Sequence, residues 1–364
     1  MGVSVYEALG VREVISCRGP STVIGNSLVR PEVLEVMAEA SKASVDMSEL
    51  LAAAGRRVAT LTGAEAAYVT SGAAAALLLS TAACVTGKDP AKIARIPDTR
   101  GMKNEVVMHT LQRMDFDHAI RTAGVTIVEI GNFHAVSAWE LESAINPNTA
   151  AAVYVVGLYP DACLPPETVM EVAHRAAVPV IVDCQALPPA SNLTKFTKMG
   201  ADLVCFSGSK ALRGPGGSGI ILGRKDLIEA CALNSTPFHN TIGRPLKIGK
   251  EEVVGLVKAL ELYVARDHEA DRREWERSAQ YVVDQMAKLP HVKSWLAPGA
   301  TPTAWVKVDE QALGLTTAEA AAKLEAGSPS IWVKWSADGI AISPITWPED
   351  AETTVVRRLT EVLG

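Results

Sequence analysis

Residues 178–223 read VPVIVDCQALPPASNLTKFTKMGADLVCFSGSKALRGPGGSGIILG. Two apolar runs in it, Val178–Val182 and Leu203–Ser207, are each followed closely by a residue with reactive chemistry. Asp183 comes directly after the first, and Lys210 lies in a Ser-Gly-Ser-Lys turn after the second. Neither run alternates polar with apolar residues, so both read as strands covered on two faces by helices. Sites in open α/β sheets lie at the carboxyl ends of the strands. An acid and an amine delivered there by consecutive strands are placed to share one pocket.

Four more runs of the same kind precede this segment, Ala67–Thr70, Glu105–His109, Val125–Ile130 and Ala151–Val156, and a fifth, Gly219–Leu222, closes it. Alternating with helical patterns, they predict a doubly wound α/β domain whose sheet has about seven, mainly parallel, strands. Helical periodicity covers Pro31–Val45 and Ser48–Leu61, with Pro31 at a first helical position and Gly63 as a stop. After Gly249 the pattern changes. Lys250 to Leu289 reads as long, charge-rich helix, whose DHEADRREWER run suits a solvated face. Trp305–Val308, Ile331–Trp335 and Ile340–Ile342 then read as antiparallel strands, and Thr317–Glu325 and Glu349–Leu363 as helices. The expected division is an N-terminal arm and helix over 1–45, a large domain over 46–249, and a linking helix with a small α+β domain over 250–364.

Composition narrows the function classes. The 364 residues carry a formal net charge of −6, which argues against a nucleic-acid partner, whose phosphates are met mainly by Lys and Arg. The longest apolar stretch, Ala64 to Val85, is broken by Glu65, Thr70, Ser71, Gly72, Ser80 and Thr81, unlike a lipid-facing helix. The first residues contain no basic stretch followed by an apolar core, so no secretory signal is visible and a cytoplasmic location is expected. Six cysteines occur without a CxxC pair, which suits reduced, buried thiols and no metal knuckle.

Pyridoxal 5'-phosphate (PLP) needs the pair found at positions 183 and 210. A lysine amine forms a Schiff base with its aldehyde, and a carboxylate beside the pyridine nitrogen keeps that nitrogen protonated. Its phosphate needs a cradle. Thr70-Ser71-Gly72-Ala73 supplies one, because a strand ends there in a Ser-Gly turn that opens an Ala-rich helix, so backbone N–H groups and the helix dipole face an anion. Ser71 and Ser207 offer hydroxyls. Singly these features are ordinary: lysines sit mostly at surfaces, Asp183 reads as a helix cap, and Ser-Gly turns are common. Their order along the chain is what carries the reading. Gly214-Pro215-Gly216-Gly217-Ser218-Gly219 matches GxGxxG, yet it leads into the strand GIILG, and Asn234 stands where dinucleotide binding wants an acid. A flexible turn shaping the wall beside Lys210 is the expectation. The GxxxxGK[ST], HExxH and GxSxG signatures are absent.

With "TSGAAA" near residue 70, an acid after "PVIVD" and "SGSK" after "GADLVCF", the chain resembles the fold-type-I, aspartate-aminotransferase-like PLP enzymes. More narrowly it is similar to the bacterial selenocysteine synthase-like group, which includes ammonia-lyases of amino-sugar acids. Gly19, "RPEVLEVMAEA", "LTGAEAAYVTSGAAAAL", "FDHAIRTAG", "SGSKALRGPGGSGIILG" and "IGRPLKIGKEEVVGLVKALE" carry the similarity over about residues 10–262. The C-terminal domain matches in outline. The resemblance implies that Lys210 holds the cofactor and that Asp183 pairs with its ring nitrogen. Ser71, Gly72 and Ala73 hold the phosphate with Ser207, Gln185 underlies the ring, and His109 covers the other face. It also implies a homodimer or higher homo-oligomer in which Arg244 and Lys247 reach an anionic substrate or a neighbouring subunit's cofactor.

Lys210 then serves as general base at Cα, and the outcomes diverge from there. Loss of water and ammonia from a 2-amino-3-hydroxy acid, an amino-sugar acid or its phosphate, gives a 2-keto acid. Racemisation and transamination are the alternatives. Selenium transfer onto aminoacyl-tRNA is disfavoured by the acidic charge and by a chain that starts almost at the catalytic region. Arg18, Arg244 and Lys247 are the candidate substrate contacts. Ile331–Ile342 holds no arginine to clamp a carboxylate, and Arg357 falls on a last helix expected to be exposed.

Overall fold

A computed structural model describes residues 4–184, 189–348 and 350–364. Among the described residues, thirteen strands form three sheets. The first, β1 (Val14–Ser16), precedes the strands of the larger compact unit, Val29–Ala265. These are β2 (Ala66–Thr70), β3 (Glu105–His109), β4 (Thr126–Ile130), β5 (Thr149–Val155), β6 (Val180–Asp183), β7 (Leu203–Ser207) and β8 (Gly219–Gly223). Their order in the sheet is β2-β8-β7-β6-β5-β3-β4. This is the mainly parallel, seven-stranded sheet expected from the apolar runs.

Only β8 runs against its neighbours, pairing antiparallel with both β2 and β7. Two reversals cancel, so β2 points the same way as β7, and Thr70–Ser71 emerge at the same sheet edge as Ser207, Asp183 and His109. Every residue of β5, β6, β7 and β8 is buried, which is why those segments lack polar alternation. Burying one Ile or Leu such as Ile221 or Leu222 contributes roughly 1.5–3 kcal/mol, so each such position in the central strands stabilises the core appreciably. The helix Ala73–Thr86 is apolar almost all round because it too is covered. Its two buried threonines satisfy their own turns, Thr81 donating to the Leu77 carbonyl at 2.8 Å and Thr86 to that of Ala82 at 2.9 Å, while the Ser80 hydroxyl lies 3.4 Å from Cys205 Sγ. Among the described residues no helix is long and apolar enough to cross a membrane.

The other unit joins the residues up to Leu28 with Arg266–Gly364. It contains β9 (Val292–Ala297), β10 (Thr303–Val308), β11 (Ser330–Trp332), β12 (Lys334–Ser336) and β13 (Gly339–Ile342). The sheet β12-β13-β10-β9 is antiparallel, while β1 and β11 make a separate parallel pair. Two differences from the expected organisation have clear causes. The segment before Leu28 is a strand partner of β11, so it groups with the C-terminal residues and not with the helix that follows. Helix Lys250–Val264 packs on helices Pro31–Ala40 and Met47–Thr62 of the larger unit, where Arg57 meets Glu261 at 2.6 Å, so it does not begin the smaller one. Ile331–Trp335, expected as one strand, is two, because β11 follows β1 and β12 follows β13. Arg357 is 54% exposed beside Glu361, as the sequence pattern indicates.

At the sheet edge opposite Lys210, Asp202 is 4% exposed and accepts from Val180 N at 2.8 Å, His174 Nε2 at 2.8 Å and Arg224 Nη1 at 2.7 Å. Asp202→Ala strands a buried backbone N–H as well as two side chains. It is expected to lower unfolding free energy by about 2–4 kcal/mol in urea titrations. Arg224→Ala, which removes a half-exposed partner, is expected to cost about 1 kcal/mol or less.

Candidate active site

The turn between β2 and helix Ala73–Thr86 is built around Gly72, whose φ of +105° only glycine adopts without strain. The Thr70 hydroxyl donates to the Gly72 carbonyl at 2.9 Å and so fixes the turn. No side chain caps this helix. Helix Met47–Thr62 is different, since Asp46 accepts from Ser48 N and Glu49 N at 2.7 and 3.1 Å. The first amides of Ala73–Thr86 are therefore left for an external anion, with the helix dipole behind them.

The glycine-rich run packs against this turn. A Cβ on Gly219, at the start of β8, would stand 2.5 Å from Gly72 C and 2.7 Å from Gly72 O. Upstream, Gly208 N donates to Ser218 O at 2.8 Å and Gly214 N to Gly208 O at 2.9 Å, so the loop that carries Lys210 is folded back on itself. The expectation of a flexible turn is corrected in part: Gly214 and Gly219 are packed close against backbone in the wall, while Gly216 and Gly217 are exposed.

Ser207 and Ser209 are 7% and 3% exposed, with hydroxyl oxygens 3.2 Å apart, and half-buried Lys210 follows them. Asp183, 3% exposed, ends the adjacent strand in register with Cys205. Leu77, Met108, Val153 and Val155 line the same narrow space as Asp183, together with a second buried carboxylate, Asp117. The Ser71 hydroxyl donates to the Leu246 carbonyl at 3.1 Å. That bond spends the proton the sequence reading assigned to a phosphate, and it ties the segment holding half-buried Arg244 and exposed Lys247 to the Gly72 turn. Lys250, the third cation of that segment, pairs with Glu251.

His109 is 2% exposed at the end of β3, two strands from Asp183 along the same edge. Its Nδ1 is 3.2 Å from Gln112 Oε1, and its Nε2 accepts from Leu164 N at 3.3 Å. Burial holds its pKa below the usual histidine value, with the Gln112 bond opposing. Gln185 lies outside the described residues. Arg18 belongs to the other unit, with its guanidinium carbon 5.9 Å from the Trp332 ring centroid. Sequence reasoning missed Gln112 and Ser209. Ser209 had a signal in the SGSK turn itself, whereas a lone glutamine in MHTLQ has none.

The six cysteines form no disulfide, and burial pushes the Cys84 and Cys184 thiols up to about 12. They are protonated, inert packing groups. Among the described residues no cluster of three His, Cys, Asp or Glu could hold a metal ion.

This sheet order, with an acid and a lysine turn on adjacent strands and an uncapped helix at the same edge, defines the aspartate-aminotransferase-like fold of PLP fold type I. The family profile described as SelA, L-seryl-tRNA selenium transferase, matches residues 21–274. The chain is 35% identical to the D-glucosaminate-6-phosphate ammonia lyase of Salmonella typhimurium over 375 residues, covering 100% of this chain and 98% of that one. It is 32% identical to the 5'-C-glycyluridine monooxygenase-decarboxylase of a Streptomyces species, covering 98% and 92%. A solved D-glucosaminate-6-phosphate ammonia-lyase superposes with a TM-score of 0.88 at 35% identity, covering 100% of this chain and 99% of that one. Ureidoglycine-glyoxylate aminotransferase from Bacillus subtilis, at 15% identity and a TM-score of 0.63 over 97% and 93%, shares the fold. The chain belongs to the SelA family.

Gly72→Ala forces a side chain into a conformation only glycine tolerates and is expected to cost about 1–3 kcal/mol by chemical denaturation. His109 sets a pH dependence. The folded protein binds its proton less readily than the unfolded chain, so its contribution is fully present above about pH 6.5 and is lost as pH falls through the lowered folded value. The urea midpoint of wild type is therefore expected to drop between about pH 7 and pH 5, and His109→Gln to flatten that slope.

Proposed function

We propose that this chain is a PLP-dependent carbon–nitrogen lyase. Its substrate would be a phosphorylated 2-amino-3-hydroxy acid of the amino-sugar type, which loses its 3-hydroxyl as water and then, on hydrolysis, ammonia, leaving a 2-keto acid. One observation carries the reading: Asp183 and Lys210 leave adjacent strands at the edge where the uncapped Ala73–Thr86 helix begins. The identity of 35% over the whole chain to an ammonia lyase points to the reaction.

The residues present fit the cofactor. Amides at Gly72 and Ala73, with Ser207 and Ser209, would hold its phosphate; Ser71, whose hydroxyl donates to the Leu246 carbonyl, would have to turn that donor to the phosphate to take part. Asp183 would hold the ring nitrogen's proton, and its burial strengthens that charge-assisted bond. His109 would cover a ring face. Bound there, PLP supplies an electron sink for negative charge at the substrate Cα. Lys210 Nζ would take the Cα proton and return it to the departing hydroxyl. Arg244 and Lys247, drawn to the Gly72 turn by the Ser71–Leu246 bond, would meet the substrate's anionic groups. A homodimer or larger homo-oligomer is part of the same proposal, and its mass in solution by light scattering tests it.

Apoprotein reconstituted with PLP is expected to release ammonia and a 2-keto acid from D-glucosaminate 6-phosphate. Lys210→Ala is expected to lower that rate by at least about a thousandfold. Arg244→Ala is expected to raise KM for the phosphorylated substrate about tenfold, with little change for the unphosphorylated acid. Cα inversion without ammonia would replace the lyase by a racemase. A second reading rests on the identity of 32% to a monooxygenase-decarboxylase, and oxygen uptake with CO2 release in the same assays would favour it.

A further inference from the structure

The histidine at the end of β3 is held by a chain of bonds that begins in the backbone of β5. Gln112 is 0% exposed. Its Nε2 donates to Val155 O at 3.0 Å, and its Oε1 accepts from Val155 N at 2.9 Å. Turning the amide over would set donor against donor and acceptor against acceptor, so the β5 backbone dictates which end of the amide is the oxygen. That same Oε1 is 3.2 Å from His109 Nδ1, and an amide oxygen only accepts. Nδ1 therefore carries the ring hydrogen. On the far edge of the ring, Leu164 N donates to Nε2 at 3.3 Å, which requires Nε2 to be bare. Both bonds select one tautomer, and both edges of the imidazole are engaged.

We propose that Gln112 is a positioning residue of the cofactor site: it locks His109 as the Nδ1–H tautomer and leaves a ring face as the surface His109 offers at the sheet edge. This rests on the function proposed above, in which His109 covers the cofactor ring. The neutral ring that burial favours agrees with it, since an imidazolium would set its Nε2–H against Leu164 N–H. The same bonds join β3, β5 and the loop reaching Leu164, so the register of these elements and the attitude of the ring are set together.

Ring-15N histidine labelling reads the tautomer directly, with His109→Gln assigning the signal. Wild type is expected to show protonated Nδ1 and bare Nε2, the pattern of a neutral Nδ1–H imidazole. Gln112→Leu is expected to lose it and to bind PLP about tenfold more weakly when apoprotein is titrated by absorbance, the loss of one oriented ring contact. A protonated Nε2 in wild type overturns the proposal whether or not any variant folds, as does Gln112→Leu with unchanged tautomer and unchanged affinity. No uptake of PLP by wild type overturns the proposed function and with it the cofactor role, whereas uptake with the wrong tautomer overturns the role of Gln112 alone.

Discussion

The contact between Gly219 and Gly72 is the constraint on which the site depends. Because β8 runs backwards between β2 and β7, the loop that follows Lys210 must return to the edge it left, and there it meets the turn at the end of β2. Only backbone without side chains fits at that distance. The amides at the start of helix Ala73–Thr86 and the Ser207–Lys210 turn are thereby held against one another by main chain, with little left to side-chain rotamers. A site that must match a rigid, flat cofactor benefits from such construction, since freedom at either turn would have to be given up on binding.

Much of this was legible in the sequence, for definite reasons. The central strands are buried on both faces, so Val180–Asp183 and Leu203–Ser207 appear as apolar runs with their chemistry at the ends. The Ser-Gly turn before an uncapped alanine-rich helix is a local pattern that no tertiary context had to supply. What stayed hidden depends on partners distant in sequence. The Ser71 hydroxyl is spent on Leu246, and nothing around position 71 announces that. Gln112 acquires its meaning only from Val155, and β9, half-buried and carrying lysine and serine beside tryptophan, gives too weak an alternation to read as a strand. Ile331–Trp335 looks continuous because both halves are hydrophobic, yet its two halves pair with different strands.

The two edges of the large sheet divide their tasks. Asp202, His174 and Arg224 at one edge form a satisfied network that ties β6, β7 and β8 together. The other edge collects an uncapped helix, a buried acid and a half-buried lysine, the groups on which the proposed chemistry rests. Rigidity at the first edge is what lets the second keep such groups in place.

The pairing of β1 with β11 has a consequence for how the chain is made. Val29–Ala265 is one continuous stretch of chain, whereas Val14 must wait for Ser330. Until Ser330–Trp332 is made, β1 is without this partner and its amides form an unpaired edge. The smaller unit is thus closed by the union of two segments far apart in the chain, and a product truncated before Ser330 would present the edge of β1 permanently to chaperones and proteases.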